Sequence, residues 1–241
     1  MIDLYGMSSP NVLKIVLMLE ELGLPYRLHH VAVHRSEQFD PGFLAMNPLA
    51  KVPVLVDDRL GEPIFESGAI LIYLAETEGL LLPAGGPARS AVLKWLMAQV
   101  ANVGPLLGQL NHFNMMPADE NQYALSRYRD QAARIYGVLD ARLAASPWLG
   151  GADYSIADIA TWPWASYVDR HGFSWDRWPA LKTWLDLIAA RPAAKRATEA
   201  TGQFRSADMA ARAAATPEHF DRFFWRSTPG PPPVTPPAAV R

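Results

Sequence analysis

The chain has 241 residues, of which half are hydrophobic and 19% are charged, as in a globular protein with a sizeable core. Its net charge of −2 gives no electrostatic attraction to nucleic acid or to a membrane surface. No apolar run approaches the ~20 residues that cross a bilayer. The first residues, MIDLYG, lack the basic-then-apolar pattern of a signal peptide, so a cytoplasmic location is expected.

The chain contains no cysteine. This excludes structural disulfides, thiolate-zinc sites and any sulfur nucleophile supplied by the protein. Thiol or disulfide chemistry would therefore have to use the sulfur of a bound small molecule. Phosphate-loop, dinucleotide-binding, serine-hydrolase and zinc-protease motifs are also absent, and no histidine and carboxylate set has metal-ligand spacing. We expect no metal requirement.

The first predicted elements alternate between strand and helix. A short buried strand over residues 2–5 leads through a turn to an amphipathic helix over 11–22, which Gly23 ends. A second strand is predicted over 26–33. The apolar stripe of the helix comprises Val12, Ile15, Val16 and Leu19, and the polar residues off that stripe are Lys14, Glu20 and Glu21.

The stretch 47–78 predicts a strand over 53–56, a turn, a second strand over 64–65 and a helix that begins at Glu66 and Ser67. The order strand-helix-strand followed by strand-strand-helix predicts an α/β thioredoxin-like domain over residues 1–80, with a mixed sheet of β-α-β-β-β-α type. A cis bond between Val52 and Pro53 would turn the Val52 backbone groups outward. With the helix start at Ser67, which favours a carboxylate, this strand edge suits a small extended peptide.

A linker over residues 81–89 is followed by sequence with no strand signal. Helices predicted over 90–108, 121–143, 155–170 and 179–190 give an all-α helical-bundle domain spanning 90–200. Within it, Ser155 and Asp158 form a capping box, which we interpret as structural. The extension 201–241 has a helix start at Thr216, and its aromatic residues are expected to dock on the chain itself or on a partner subunit. A proline-rich segment, 229–237, is predicted to be extended.

The paired motifs Lys51-Val52-Pro53 and Glu66-Ser67-Gly68 resemble the glutathione site of the glutathione transferase superfamily, and the resemblance covers roughly residues 1–200. It implies glutathione as a cosubstrate, in reduced or disulfide form. The family places the group that stabilises the glutathione thiolate in the turn after the first strand. Here that turn offers Ser8, Ser9 and Asn11 at a helix N-terminus, where the dipole favours an anion. The alternative is a purely structural role, in which Asn11 only caps the helix or Ser9 only shapes the turn. The rival for the thiolate role is Tyr5.

A longer series of motifs, which includes LEELGLPYRLHHV, EQFDPGFLAMNPLAKVP and FESGAILIYLAE, is similar to the Nu-class transferases. That class includes bacterial disulfide-bond oxidoreductases. These proteins bind two glutathione molecules or glutathione disulfide and use a Thr-Pro-Asn turn. This chain has Ser9-Pro10-Asn11 in that place, and serine keeps the hydroxyl while dropping a methyl group.

The resemblance implies Asn11 and Ser9 as catalytic residues and Arg127 as the basic residue that reaches a second glutathione. The implied glutathione-binding residues are Gln38, Lys51, Val52, Pro53, Glu66, Ser67 and Arg127. The alternatives are an ordinary polar loop residue for Gln38 and an exposed helix residue for Arg127. Weaker candidates are His112 and Asn114, and the strand residues His29 and His30 are expected to be structural.

Three functions remain open. The first is a glutathione-dependent disulfide reductase, the second a transferase that conjugates glutathione to small electrophiles, and the third a non-catalytic binding or regulatory module. A homodimer is also expected, because the helices offer more apolar surface than one small bundle can bury. The residues that carry this surface include Val92, Trp95, Leu96, Val100, Val103, Leu106 and Leu107.

Overall fold

The structure is a computed structural model that describes residues 1–229. In its first part, four strands and three helices follow the order β-α-β-α-β-β-α. The strands are β1 (Ile2–Gly6), β2 (Tyr26–His30), β3 (Val54–Asp57) and β4 (Ile64–Phe65), and the helices are α1 (Pro10–Leu22), α2 (Pro41–Met46) and α3 (Ser67–Glu78). The thioredoxin-like prediction is confirmed, with one addition: the short helix α2, which the sequence analysis missed.

The sheet has the order β2-β1-β3-β4. β1 pairs parallel to β2, and the pairs β1–β3 and β3–β4 are antiparallel. In this register Tyr5 lies opposite Val54, and Val54 lies opposite Phe65. The ends of β1, β2 and β4 and the start of β3 therefore lie at one edge of the sheet, and the segments that continue from them meet there.

The second part of the described chain is helical. Its helices are α4 (Gly86–Ala98), α5 (Gly104–Phe113), α6 (Ala118–Ala145), α7 (Ile156–Ala165), α8 (Pro179–Ala189), α9 (Pro192–Ala213) and α10 (Pro217–Phe223). The predicted linker is too long, because α4 already begins at Gly86, which has a φ of +71° and precedes a proline in the first turn. The predicted helix 90–108 is interrupted by a π-helical segment, Gln99–Val103. Pro105 lacks the N–H that would continue the regular ladder from this point.

Helix α9 was missed, and it crosses the boundary that the sequence analysis placed at residue 200. Its mean hydropathy is low, and its buried face consists mostly of small residues, among them Ala193, Ala194, Ala197 and Thr201. Small side chains allow close packing, and α9 packs against α1. A periodicity search for large apolar residues does not detect such a helix.

One large hydrophobic cluster runs through both parts of the chain, from Leu4 and the buried face of α1 to Trp184 and Ile188 on α8. A smaller cluster covers the other side of the sheet and contains Val31, Val33, Phe43 and Val54, with Tyr5, Met7, Val52 and Phe223 packed against it. The aromatic helix α10 thus docks on its own chain, which confirms one of the two expected outcomes. The proline-rich prediction falls almost entirely outside the described residues.

Candidate active site

Three backbone features meet at the edge of the sheet where β1 ends. The turn Met7–Ser9 continues β1, the cis Val52–Pro53 peptide precedes β3, and Glu66 with Ser67 follows β4. The cis prediction is confirmed. Glu66 has a φ of +68° and an exposed side chain, whereas Ser67 begins α3 and is buried. The helix start leaves backbone N–H groups without intrahelical partners beside the Val52 strand edge.

Ser9, not Asn11, caps helix α1. The Ser9 backbone is extended and its Oγ accepts a long hydrogen bond, 3.4 Å, from the Val12 N–H. The interpretation of Asn11 as the cap is therefore wrong. A serine hydroxyl also carries one donor, and capping uses only an acceptor lone pair. The Ser9 O–H remains available to donate to an anion at the helix start.

The Asn11 side chain is held from the helical part of the molecule. The indole Nε1–H of Trp164, on α7, donates to Asn11 Oδ1 at 2.9 Å. An indole N–H is a donor only, so it fixes the amide with its oxygen toward Trp164 and its NH₂ group directed elsewhere. This contact joins residues 153 positions apart. Within residues 1–229 the two amide donors of Asn11 remain available for a ligand.

Three other residues predicted to bind glutathione differ in their burial. Gln38 is buried in a 3₁₀ turn after β2, and its Oε1 has no hydrogen-bond partner among residues 1–229. A buried acceptor without a partner is costly, so a ligand N–H would stabilise it. Lys51 is exposed, and Arg127 lies exposed on α6; among residues 1–229 neither side chain forms a hydrogen bond or an ion pair with the turn.

Of the remaining candidates, His29 and His112 have structural partners. His29 Nε2 lies 2.6 Å from Asp3 Oδ1, and the His29 ring stacks on Tyr5 with 4.6 Å between ring centroids. The His112 ring, on α5, packs against Phe224 with 4.9 Å between ring centroids. Burial lowers the pKa of the His112 imidazole. The residue that follows α10 therefore packs on α5, a contact that the sequence did not locate. Asn114 is exposed at the end of α5.

Lys14 is the polar residue near the turn whose position was least expected. It is 1% exposed, and its Nζ donates to Gln99 Oε1 at 2.9 Å, so it joins α1 to the π-helical segment. Burial lowers the pKa of Lys14 to about 7, an effect that the Glu66 carboxylate partly opposes. A Cβ on Gly104 would lie 2.9 Å from Gln99 Nε2 and 3.5 Å from Trp164 Nε1, so the Lys14 and Asn11 contacts are neighbours. A single polar position on an amphipathic helix gives no signal of such burial.

The buried lysine predicts a pH-dependent stability. Folding lowers the Lys14 pKa from its ordinary 10.5 to about 7, so the unfolded chain binds one more proton between these values. The free energy of unfolding should then rise with pH, and the penalty should be fully present below about pH 7. Urea unfolding at pH 7 and pH 9.5 should show a rise on the order of 1–3 kcal/mol from this group. Lys14→Met should flatten the rise; equal slopes in the two proteins would contradict the prediction.

Comparisons with known proteins assign the chain to a family. Residues 1–76 match the model of the glutathione S-transferase N-terminal domain, and residues 122–187 match that of the C-terminal domain. The disulfide-bond oxidoreductase YfcG of Escherichia coli (strain K12) is 48% identical over 202 residues, which are 82% of this chain and 94% of YfcG. This chain belongs to the glutathione S-transferase family.

Solved structures of family members are similar over most of their length. A Pseudomonas fluorescens pf-5 family member with two glutathione molecules bound has 40% identity and a TM-score of 0.75, over 81% of this chain and 91% of that one. A Pseudomonas putida glutathione transferase, with one glutathione disulfide bound per subunit, has 35% identity and a TM-score of 0.76, over 81% and 90% of the two chains. Within residues 1–229, no group of side chains could hold a metal ion and no helix is long and apolar enough to span a membrane.

Proposed function

We propose that this family member is a glutathione-dependent disulfide reductase of the Nu class. The observation that carries the proposal is the orientation of Asn11, whose amide donors are left free by Trp164 beside the available Ser9 hydroxyl at a helix N-terminus. Two donors and the helix dipole at one point favour a thiolate over a thiol. The likeness to a disulfide-bond oxidoreductase favours a disulfide as the substrate.

In this proposal glutathione lies along the strand edge as an extended peptide. The backbone of Val52, next to Pro53, pairs with its cysteinyl unit, and the start of α3 at Glu66 and Ser67 receives its γ-glutamyl carboxylate. Gln38 supplies the buried acceptor for a ligand N–H. Lys51 lies beside the glycyl end, and Arg127 reaches a second glutathione.

The reaction is two successive thiol–disulfide exchanges. The glutathione thiolate attacks one sulfur of the substrate, a new S–S bond forms, the old one breaks, and the departing thiolate takes up a proton. A second glutathione thiolate then attacks the glutathione sulfur of the mixed disulfide and releases glutathione disulfide and the second substrate thiol. The protein supplies no sulfur and needs no metal. Ser9 and Asn11 act by holding the attacking sulfur as an anion. The cytoplasm, with its reducing glutathione pool, is the compartment we assign.

The test compares two activities of the purified protein. Glutathione-dependent reduction of hydroxyethyl disulfide should exceed conjugation of a chlorodinitrobenzene-type electrophile, and Asn11→Ala should lower both because both use the thiolate. Conjugation without disulfide reduction would favour the ordinary transferase. Calorimetric binding of glutathione with neither activity would favour a regulatory module, and a nitrogen-regulation fragment of the yeast prion protein Ure2p is among the similar structures, at 31% identity and a TM-score of 0.78.

We also propose a homodimer. Much of the apolar surface on which the dimer prediction rests is already buried within the single chain, including Val92, Leu96 and Leu107. Met97 on α4 and Val138 on α6 remain exposed. Light scattering with size-exclusion chromatography should give twice the single-chain mass of 26.6 kDa at micromolar concentration. A mass near 26.6 kDa with full activity would show that the dimer is not required.

A further inference from the structure

The turn that presents Ser9 and Asn11 is tied to the far end of the described chain. Asp208, on α9, is 7% exposed, and its Oδ2 accepts the Ser8 backbone N–H at 2.8 Å. The Ser8 hydroxyl donates to the same oxygen. The two residues are 200 positions apart in sequence. Because its hydroxyl is engaged with Asp208, Ser8 is not the donor to sulfur that the sequence also allowed.

The other oxygen of the carboxylate reaches the neighbouring strand. Asp208 Oδ1 lies 2.8 Å from His30 Nε2, at the last residue of β2. One helical turn earlier, Phe204 packs against the same imidazole, with 5.5 Å between ring centroids. The Val31 N–H donates to Gly6 O at 2.8 Å, so the ends of β1 and β2 are joined directly as well. A single buried carboxylate thus fixes the turn after β1 against the end of β2.

We propose that Asp208 is a positioning residue of the active site: by holding Ser8 it sets where Ser9 and Asn11 stand relative to the glutathione sulfur. The inference rests on the proposed function. Hydrogen bonds from an N–H and an O–H to one carboxylate are charge-assisted, and they restrain a short turn that precedes the helix start. Displacement of a positioned group by ~1 Å can cost on the order of 10²-fold in rate.

A purely structural role makes a different prediction from a positioning role. If Asp208 only docked α9, its loss would lower stability and leave the properties of bound glutathione unchanged. If it acted only through its charge, removal of that charge would lower the pKa of the bound thiol, because a nearby anion disfavours a thiolate. Positioning predicts the reverse, namely a higher thiol pKa when Ser9 and Asn11 lose their placement.

The experiment uses three single variants of the full chain. Asp208→Ala removes both acceptors; Asp208→Asn removes the charge but keeps an amide oxygen for Ser8 and an NH₂ group for His30. Thr201→Ala is the matched control, since Thr201 is also buried on α9 and, among the residues that the structure describes, its hydroxyl bonds only within its own helix. The readouts are the pKa of the bound glutathione thiol, followed by the ultraviolet absorbance of the thiolate, with kcat and KM for disulfide reduction and urea unfolding.

For Asp208→Ala we expect a thiol pKa about one unit higher and a kcat about tenfold lower, since one pKa unit is a tenfold change in equilibrium. KM for glutathione should change less than about twofold, because the proposed binding residues Val52 and Ser67 do not belong to the turn that Asp208 holds. Asp208→Asn should recover most of the rate, and Thr201→Ala should lower stability alone. An unchanged or lower thiol pKa in Asp208→Ala, or equal losses of activity in Asp208→Ala and Thr201→Ala, would overturn the inference.

Ser8→Ala guards against an Asp208→Ala variant that does not fold, since Ser8 is near the surface. Ser8→Ala should raise the pKa of the glutathione thiol by less than Asp208→Ala does. In the double variant Ser8→Ala with Asp208→Asn, the rise in this pKa should be smaller than the sum of the two single rises, because both changes act on one contact. Additive effects would argue against the inference. A wild-type protein that forms the thiolate but reduces no disulfide would refute the proposed reductase, while the thiol pKa would still test Asp208.

Discussion

Replacing Asn11 with alanine is expected to lower the turnover of disulfide reduction by at least about tenfold. The amide of Asn11 is oriented by Trp164, so its NH₂ group is the strongest candidate donor to the glutathione sulfur. Loss of one charge-assisted hydrogen bond costs about 1.5–3 kcal/mol, which corresponds to a ~10- to 150-fold change in rate. Steady-state kinetics on hydroxyethyl disulfide at saturating glutathione measures the effect.

Two further variants sharpen this prediction. Trp164→Phe removes the N–H that orients Asn11, together with part of a buried ring, but it leaves the amide donors of Asn11 in the protein. Its loss of turnover should therefore be smaller than that of Asn11→Ala. Tyr5→Phe should be nearly silent, since the Tyr5 ring packs on His29 and on the smaller hydrophobic cluster. If Tyr5→Phe were the damaging change and Asn11→Ala kept full activity, the assignment of the thiolate site would be wrong.

The largest effect on stability is expected from Asp158→Ala. Asp158 is fully buried, and its Oδ1 accepts the Leu149 N–H at 2.9 Å and the Trp184 indole N–H at 3.0 Å. Its Oδ2 accepts the Ser155 N–H at 3.1 Å and the Ser155 hydroxyl at 3.0 Å. Alanine would leave four buried donors unpaired, so the free energy of unfolding should fall by about 3–5 kcal/mol.

Urea unfolding followed by circular dichroism measures this loss. Asp153→Ala is the control, because Asp153 is exposed in the loop just before the same helix, and it should change stability by less than about 0.5 kcal/mol. The loss of stability in Asp158→Asn should lie between those of Asp158→Ala and Asp153→Ala. The amide keeps one oxygen acceptor, but its NH₂ group would face other donors. A loss below ~1 kcal/mol for Asp158→Ala would show that the network is dispensable.

The sequence predicted helix starts and ends correctly where they depend on neighbouring residues. Gly23, in the left-handed region with a φ of +65°, ends α1, and the Ser155–Asp158 capping box begins α7. Thr216 caps α10 in the same way. Each of these depends on residues within one helical turn, so one sequence is sufficient. The errors also have local causes: the strand predicted to Val33 ends at His30, since the chain turns into a 3₁₀ helix at Val33.

By itself, the sequence determined the absence of a protein thiol and the thioredoxin-like order of elements, and it predicted the cis peptide at Val52 and the helix start at Ser67. These follow from composition, short-range periodicity and motifs. Only the tertiary structure decided which groups in the turn are free to act. Asp208 engages Ser8 and Trp164 orients Asn11, and both partners lie more than 150 residues away in sequence. Hydrogen bonds of this kind depend on how helices pack across the whole core, and a polar pair that is distant in sequence leaves no signal in the local sequence around either partner.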